Sequence, residues 1–230
     1  MKNFFKSVTL AEWLIWGVSI VAVTVSFFVF GNVQYHYLAT SLIGVTALML
    51  VSKGNPAGQL LTVVFSVFYG VIAYSFAYYG EIITYIGMSA PMAVWALVAW
   101  LKNPYKGNKR EVKVNSLSRR EWIGFAVAAV AVTVIFYFIL QALNTANIIV
   151  STVSVLTSFS AAYLTARRSR FYALCYGVND LVLIAMWALA SVENLTYLPM
   201  AVCFAAFFVA DAYGFVNWTA INRRQRKSDN

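Results

Sequence analysis

The sequence predicts an all-α polytopic membrane protein, and three of its features agree on that class. Of the 230 residues, 61% are hydrophobic, whereas soluble globular chains are about 45–50% apolar. Only 11% of the residues are charged, against a usual share of about 25%. The apolar residues are also gathered into long runs. Such a composition excludes a disordered chain, a coiled coil and an ordinary soluble enzyme.

The long apolar runs supply the elements of this fold. A helix that crosses a bilayer needs about 20 predominantly apolar residues. Runs of that kind predict eight transmembrane helices, at residues 13–30, 37–52, 60–79, 82–101, 122–142, 148–166, 171–190 and 195–218. The runs are continuously apolar, and they lack the two-residue alternation that marks the strands of a membrane β-barrel.

The basic residues indicate the direction of these helices. All 17 Lys and Arg residues fall at the two ends of the chain and in every second loop, of which the longest is residues 102–120. The positive-inside rule then puts both termini in the cytoplasm. We therefore interpret the net charge of +9 as a topology signal. The expected partners of the basic loops are lipid headgroups, not nucleic acid, which would need a basic, aromatic-rich soluble surface.

Two stretches of the first half recur in the second half. VAVTVSFF at 21–28 matches VAVTVIFY at 130–137 in six of eight positions, with an offset of 109 residues. EIITYIGM at 81–88 matches ENLTYLPM at 193–200 in four of eight positions, with an offset of 112 residues. Because the two offsets are nearly equal, both matches fit one internal repeat.

A Glu-Trp pair opens each of these repeats, at Glu12 in the first and at Glu121 in the second. Since each repeat holds four predicted helices, the two halves enter the membrane in the same direction, as parallel repeats do. Transporters with paired repeats bind their substrate near the middle of the membrane, between the halves. The predicted boundaries are 12–101 for the first repeat, 102–120 for the basic loop, 121–218 for the second repeat and 219–230 for a cytoplasmic tail.

The seventh predicted helix is the richest in polar side chains. Five of its residues recur at helical spacing and share one face: Tyr176, Asn179, Asp180, Leu183 and Trp187. An ionisable group in a membrane helix usually faces a cavity or a partner, and no Lys or Arg lies within an apolar run to pair with Asp180. This face therefore indicates either a substrate surface or an aromatic helix interface with Asn and Asp as interhelical hydrogen-bonding groups.

The other apolar runs contain fewer candidate functional residues than the seventh. The deep polar and aromatic candidates of the first half are Gln59, Tyr69 and Trp95. Asp211 is the second acidic residue well inside an apolar run. Cys175 and Cys203 have no neighbouring His or Cys and predict neither a zinc site nor a redox motif. We expect no metal and no cofactor.

Several stretches share a pattern of spaced aromatic and small residues. In the first half they are GNPAGQLLTVVFSVFYGVIAY and YYGEIITYIGMSAPMAVWALVAWLKNP. In the second half they are YALCYGVNDLVLIAMW and DAYGFVNW. This pattern resembles the PnuC family of nicotinamide riboside transporters. The resemblance covers most of residues 53–218.

The resemblance implies a fold similar to that of the sugar-transporting SWEET proteins, in which a linker helix joins two three-helix bundles. The predicted second to fourth and sixth to eighth helices would form the bundles, the fifth would be the linker, and the first would be an additional helix. The family further implies a homotrimer in the bacterial inner membrane and facilitated diffusion, with the cargo trapped by cytosolic phosphorylation. Thiamine, riboflavin and deoxynucleosides stay open as alternative cargo, because relatives carry them.

The candidate residues suit nicotinamide riboside, which is a flat pyridinium cation on a ribose. Trp187, Tyr69 or Trp95 would stack on the ring, with a cation–π attraction of about 0.5–2 kcal/mol. Asn179 and Gln59 would hydrogen-bond the carboxamide or the ribose hydroxyls. These roles make all five residues candidates for substrate binding.

Asp180 would offset the positive charge of such a cargo or hold Asn179 in place, and Tyr176 shares their helical face. A membrane potential of about −100 mV favours the entry of a monovalent cation by roughly 2.3 kcal/mol. That free energy corresponds to about 50-fold accumulation. The sequence contains no evident chain of acids and bases that would carry a proton, so we expect no ion coupling.

Two other classes of membrane protein are less consistent with these residues. An intramembrane enzyme needs a nucleophile with a base, or a metal site, yet the single histidine, His36, lies at a predicted outer loop and neither HExxH nor GxSxG occurs. A sensory or structural membrane protein would need a soluble domain, and the longest loop, 102–120, is too short for one. The sequence therefore favours a transporter.

Overall fold

The computed structural model describes residues 9–30, 35–75, 82–145 and 148–229. Within those residues, eight helices are long and apolar enough to cross a membrane, which confirms the predicted fold class and number of spans. They are α1 (Leu10–Phe30), α2 (Tyr35–Ser52), α3 (Pro56–Ser75), α4 (Ile83–Lys102), α5 (Arg119–Ala142), α6 (Ile148–Ala166), α7 (Tyr172–Glu193) and α8 (Leu198–Asp229). The end of the predicted third helix, residues 76–79, lies outside the described residues.

Helix α4 begins as a π-helix over Ile83–Ser89 and continues as an α-helix over Ala90–Lys102. At the junction, the Ala90 N–H donates to the Tyr85 carbonyl, five residues earlier. Pro91 follows directly, and it disfavours a regular α-helical turn because it has no N–H and its ring crowds the carbonyl four residues before it. Two residues of this π-helical segment, Tyr85 and Ser89, line the cavity described below.

Helix α8 is longer than its apolar run. The run ends at residue 218, but the helix continues to Asp229, so most of the predicted tail is helical. Gln225 explains the extension, because its side chain is only 3% exposed. Its Nε2 donates to the Val112 carbonyl at 3.1 Å, and its Oε1 accepts from the Val114 N–H at 2.8 Å. Polar contacts with the loop between α4 and α5 therefore hold the last turns in place.

That loop contains a β-hairpin that the sequence analysis did not predict. Strand β1 (Pro104–Tyr105) pairs antiparallel with β2 (Asn108–Val112). Lys106 and Gly107 form the two-residue turn, with φ of 46° and 77°. Positive φ at both central positions is typical of the type I′ turn, whose twist matches that of the strands it joins. Because the first position holds Lys rather than Asn, Asp or Gly, the sequence signal for this turn is weak.

The hairpin connects the loops of both halves. The Val112 N–H donates to the Gly54 carbonyl, between α2 and α3, at 3.0 Å. The Asn115 N–H donates to the Arg168 carbonyl, between α6 and α7, at 2.9 Å. We call this end of the bundle the basic end; it comprises loops 53–55, 103–118 and 167–171 and the last turns of α8. The first turn of α1 and the last turn of α8 both lie there.

The contacts between helices follow the pattern of the predicted repeat. Helix α2 packs against α3 and α8, and correspondingly α6 packs against α7 and α4. Helix α1 lies against α2, as α5 lies against α6. If the repeat exchanges α1–α4 with α5–α8, each of these contacts maps onto its counterpart. The parallel repeat, with two three-helix bundles, a linker helix and an extra first helix, stays a prediction that these contacts support.

The first helix of each half also starts in the same way. At α1, the Thr9 N–H donates to Glu12 Oε2 at 2.7 Å, and the Glu12 N–H donates to Thr9 Oγ1 at 3.3 Å. At α5, the Ser118 N–H donates to Glu121 Oε2 at 2.7 Å, and the Glu121 N–H donates to Ser118 Oγ at 3.3 Å. These reciprocal bonds form a capping box, which satisfies backbone donors that the helix itself leaves unpaired. The recurring Glu-Trp pair therefore marks two helix starts.

Candidate functional site

A cavity lies between the two halves of the molecule. It is partly open, and about 680 Å³ of space in and around it, open solvent included, holds no protein atom. Its walls come from α2, α3, the π-helical turn of α4, α6, α7 and α8, so both halves contribute. The lining residues are Gly44, Ala47, Leu48, Val51, Gln59, Thr62, Phe65, Ser66, Tyr85, Ser89, Ser158, Tyr176, Asn179, Asp180, Phe204, Phe207 and Asp211.

The cavity wall combines buried polar groups with aromatic rings. Its fully buried polar residues are Gln59, Ser66, Ser158, Asn179, Asp180 and Asp211. Its aromatic residues are Phe65, Tyr85, Tyr176, Phe204 and Phe207. No Lys, Arg or His from the described ranges lines this cavity. Such a wall fits a ligand that presents both a flat ring and several hydrogen-bonding groups.

The amide of Asn179 contacts three hydroxyl groups of α6. Asn179 Oδ1 accepts from Ser154 Oγ at 3.2 Å and from Ser158 Oγ at 2.9 Å. Thr157 Oγ1 also lies 2.9 Å from this oxygen. These residues follow one face of α6 at spacings of three and four, which is why they reach the same acceptor. The amide plane is therefore fixed before any ligand binds.

Two carboxyl groups meet in the same wall. Asp180 lies on α7 and Asp211 on α8, and their carboxyl groups are within hydrogen-bonding reach of each other. Both residues are 3% exposed. Asp180 Oδ2 is buried and has no hydrogen-bond partner in the described part of the chain. A buried carboxylate oxygen without a hydrogen-bond donor is unfavourable, so a proton or a nearby positive charge has to compensate it.

The structure brings four of the seven candidate residues to this cavity. Gln59 comes from α3, and Tyr176, Asn179 and Asp180 come from α7. Asp211, which the sequence analysis noted without assigning it to the site, joins them. The part of the α7 face that holds these residues looks into the cavity, whereas its remainder, Leu183 and Trp187, packs into the hydrophobic core.

The three other candidates lie outside the lining. Tyr69 is buried next to it, with its ring centroid 4.2 Å from that of the lining residue Tyr85. Trp187 is buried further along α7, and its ring centroid lies 5.9 Å from that of Tyr197. Trp95 is 41% exposed, on the surface of the bundle beside Tyr163.

Some lining residues carried no signal in the sequence. Phe65, Phe204 and Phe207 sit in continuous apolar runs, where an aromatic residue is as typical of the core or of a lipid-facing surface as of a cavity. Ser158 is one of several hydroxyl residues in the sixth run. Helical periodicity separates such residues poorly when a helix is apolar all round. Only the packing of the helices against one another reveals which face is turned inward.

Two tryptophans, one on α4 and one on α8, lie between the cavity and the basic end. Trp100 of α4 and Trp218 of α8 are fully buried, with ring centroids 5.3 Å apart. The indole N–H of Trp100 donates to the Thr165 carbonyl of α6, and that of Trp218 to the Val51 carbonyl of α2, each at 2.9 Å. Each tryptophan thus binds a helix end of the opposite half. Since Val51 also lines the cavity, Trp218 is hydrogen-bonded to a residue of the cavity wall.

Comparison with known proteins gives a consistent result. A family model described as nicotinamide mononucleotide transporter matches residues 34–220. A curated protein of Neisseria mucosa, named nicotinamide riboside transporter PnuC, is 27% identical over 218 residues, which cover 93% of this chain and 82% of that protein. A protein of Haemophilus influenzae with the same name is 22% identical over 188 residues, covering 81% of this chain and 80% of that protein.

A solved structure is also similar. A crystal structure described as that of the vitamin B3 transporter PnuC superimposes with a TM-score of 0.83 and 25% sequence identity. The superposition covers 95% of this chain and 94% of that chain. The likeness therefore extends over all eight helices rather than over one motif.

Proposed function

This chain belongs to the nicotinamide mononucleotide transporter family, and on that premise we propose that its cargo is nicotinamide riboside. It is a multi-pass membrane transporter and not an enzyme. The observation that carries the proposal is the similarity to two curated proteins named nicotinamide riboside transporters, which cover 93% and 81% of this chain. The family match supports the site, since residues 34–220 include every residue that lines the cavity.

The chemistry of the cavity wall supports this cargo. The fixed amide of Asn179 and the side chain of Gln59, on the opposite half, would hydrogen-bond the carboxamide or the ribose hydroxyls. Tyr176 would add a ring and a hydroxyl group, and Asp180 a negative charge. Such a division between oriented polar groups and apolar walls is typical of small-molecule sites.

For the pyridinium ring, we assign stacking to the aromatic residues of the lining. Tyr69 would act indirectly, because its ring packs on that of Tyr85. Trp187 would support the site from the adjoining core. Trp95 has no place in this assignment, because it is exposed on the outside of the bundle.

The proposed mechanism is facilitated diffusion by alternating access, without a coupled ion. A membrane potential of about −100 mV favours the entry of a monovalent cation by roughly 2.3 kcal/mol, or about 50-fold in concentration. Phosphorylation of the cargo in the cytosol would then prevent its return. The Trp100–Trp218 pair would have to separate for release toward the basic end, because its hydrogen bonds join the two halves.

The proposed setting is a homotrimer in the bacterial inner membrane, with the basic end and both termini in the cytoplasm. The positive-inside rule supports that orientation. Accessibility of single cysteines, placed in loop 103–118, to a membrane-impermeant reagent in whole cells tests the orientation. The mass of the detergent-solubilised particle, measured by light scattering, tests the trimer.

The alternative cargo within the same fold is thiamine, riboflavin or a deoxynucleoside. Thiamine shares a positive charge with nicotinamide riboside, whereas riboflavin and deoxynucleosides are neutral. The carboxyl group of Asp180 in the wall favours the cationic members of this set. A titration of purified protein with all four ligands, followed by heat or by tryptophan fluorescence, separates them.

The test of the site uses the same titration with variants. Asn179→Ala and Gln59→Ala each remove a polar group from the lining, and we expect each to weaken binding of nicotinamide riboside by about tenfold. The matched control is Gln141→Ala, because Gln141 is exposed near the end of α5. Normal binding by both lining variants would refute the site. Binding of another vitamin alone would keep the fold and change the cargo.

A further inference from the structure

We propose that the paired carboxyl groups of Asp180 and Asp211 make this cavity select a permanently cationic ring over a neutral ring of the same shape. The inference rests on the proposed function, since it concerns how the same cavity recognises its cargo. It assigns the selection to two residues on adjacent helices, α7 and α8. It also predicts that charge, rather than ring shape alone, decides which ligand binds.

The geometry of the pair is the first support. The two carboxyl groups lie within hydrogen-bonding reach of each other, and both line the cavity. A hydrogen bond between two carboxyl groups uses one proton, so a pair that shares one proton keeps one negative charge. Asp180 Oδ2 is buried and receives no hydrogen bond from a donor among the described residues. A positive charge in the cavity therefore stabilises the singly charged state of the pair.

The surroundings of the pair are the second support. No cationic side chain of the described residues lines the cavity. The basic residues Lys53 and Arg167 lie at the basic end, where they pair with Glu12 and Glu121. A buried charge is costly unless an opposite charge or hydrogen bonds compensate it. A cation in the cavity supplies that compensation, whereas a neutral ligand leaves the carboxylate oxygen unpaired.

The amide of the neighbouring residue Asn179 does not replace the carboxyl group of Asp180. Asn179 Oδ1 already accepts hydrogen bonds from the Ser154 and Ser158 hydroxyl groups of α6, so its oxygen is occupied. Of these two adjacent residues of α7, Asp180 is the one whose side chain can carry a negative charge. The two side chains therefore differ in what they recognise. Asn179 orients polar groups of the ligand, and Asp180 binds its positive charge.

The experiment compares nicotinamide riboside with its reduced form, 1,4-dihydronicotinamide riboside. The two ligands share ribose and carboxamide, but only the oxidised ring carries a positive charge. Binding heats are measured for the detergent-solubilised wild-type protein and for Asp180→Asn, Asp211→Asn and the charge-preserving Asp180→Glu. Glu193→Gln is the matched control, because Glu193 is an exposed acid on the same helix, outside the cavity.

We expect the wild-type protein and Glu193→Gln to bind the oxidised form at least about tenfold more tightly than the reduced form, the lower range for one buried charge partner. Asp180→Asn should lose most of this ratio by weakening the oxidised form alone, and Asp180→Glu should keep part of it. Asp211→Asn reports on the second carboxyl group independently, should Asp180→Asn fail to fold.

Three results would overturn the inference alone: equal affinity of the wild-type protein for both forms, an unchanged ratio in both Asp→Asn variants, or an equal loss of both ligands in them. The last result would identify Asp180 as a structural group. If the wild-type protein binds neither form, the proposed function fails and the inference fails with it. The wild-type ratio thus separates the two failures.

Discussion

The first turns of α1 and α5 contain the same combination of a capping box and an ion pair, in two different environments. In both, a capping-box glutamate forms an ion pair with the basic residue that follows the next helix. Glu12 pairs with Lys53 at 2.8 Å and also accepts a hydrogen bond from the Tyr213 hydroxyl at 3.0 Å. Glu121 pairs with Arg167. The Glu12 side chain is 3% exposed, and that of Glu121 is 32% exposed.

The difference follows from what covers each helix. Helix α1 packs against both α2 and α8, and Tyr213 of α8 closes over Glu12. Helix α5 lies mainly against α6, so its first turn stays half-exposed. The comparison shows that the local sequence determines the cap and the ion pair, whereas the tertiary environment determines how much the pair contributes to stability.

The largest expected effect comes from breaking the buried pair. Glu12→Ala removes the partner of Lys53 and of the Tyr213 hydroxyl, and it should destabilise the protein by about 3–5 kcal/mol, the usual cost of removing one member of a buried ion pair. Thermal unfolding in detergent measures the change. The double variant Glu12→Gln with Lys53→Met should recover part of it, because no charge is then left unpaired. If Glu12→Ala lowers the unfolding temperature as little as the loss of an exposed ion pair does, the Glu12–Lys53 pair is not buried as described.

An intermediate and equal effect is expected at the two tryptophans. Trp100→Phe and Trp218→Phe each keep an aromatic ring but remove an indole donor, which leaves the Thr165 or the Val51 carbonyl without that bond. Each should destabilise the protein by about 1–3 kcal/mol. Thermal unfolding of the two single variants, with Trp95→Phe as the exposed control, checks the prediction. Clearly unequal shifts in unfolding temperature would mean that the two tryptophans do not stabilise the protein to the same extent.

The smallest effect is expected at the exposed counterpart of Glu12. Glu121→Ala removes a half-exposed ion pair, which contributes about 0–1 kcal/mol, and one capping interaction of about 1 kcal/mol. Glu121→Gln keeps the capping interaction, because glutamine also serves at that position, and so isolates the ion pair. A Glu121→Ala shift in unfolding temperature as large as that of Glu12→Ala would remove the distinction between the halves.

Much of the fold could be predicted from the sequence because its signals are long. Eight apolar runs predict eight spans, and the described basic residues gather at one end, as the alternation of loops requires. Two features with short or weak sequence signals were not predicted. The hairpin turn at Lys106–Gly107 lacks the usual residue types, and the last turns of α8 are held by Gln225 rather than by an apolar run.

The candidate site could be predicted in part for the same reason. A carboxylate and an amide in an apolar run are rare, so Asn179 and Asp180 stand out, and both line the cavity. Tryptophans are common in membrane helices, so Trp95 and Trp187 stood out equally although one lies at the surface and the other in the core. Residue type alone cannot separate these positions, because each is apolar and suits either environment.

The sequence by itself determined the number of spans, the end of the bundle that carries the basic residues and the two capped helix starts. These depend on composition and on contacts between residues close in the chain. Only the tertiary structure decided that Asp180 and Asp211 share one wall, that α4 turns Tyr85 toward them, and that Glu12 is buried while Glu121 is not. Those outcomes depend on which helix faces meet, and helices that are apolar nearly all round leave that choice to packing.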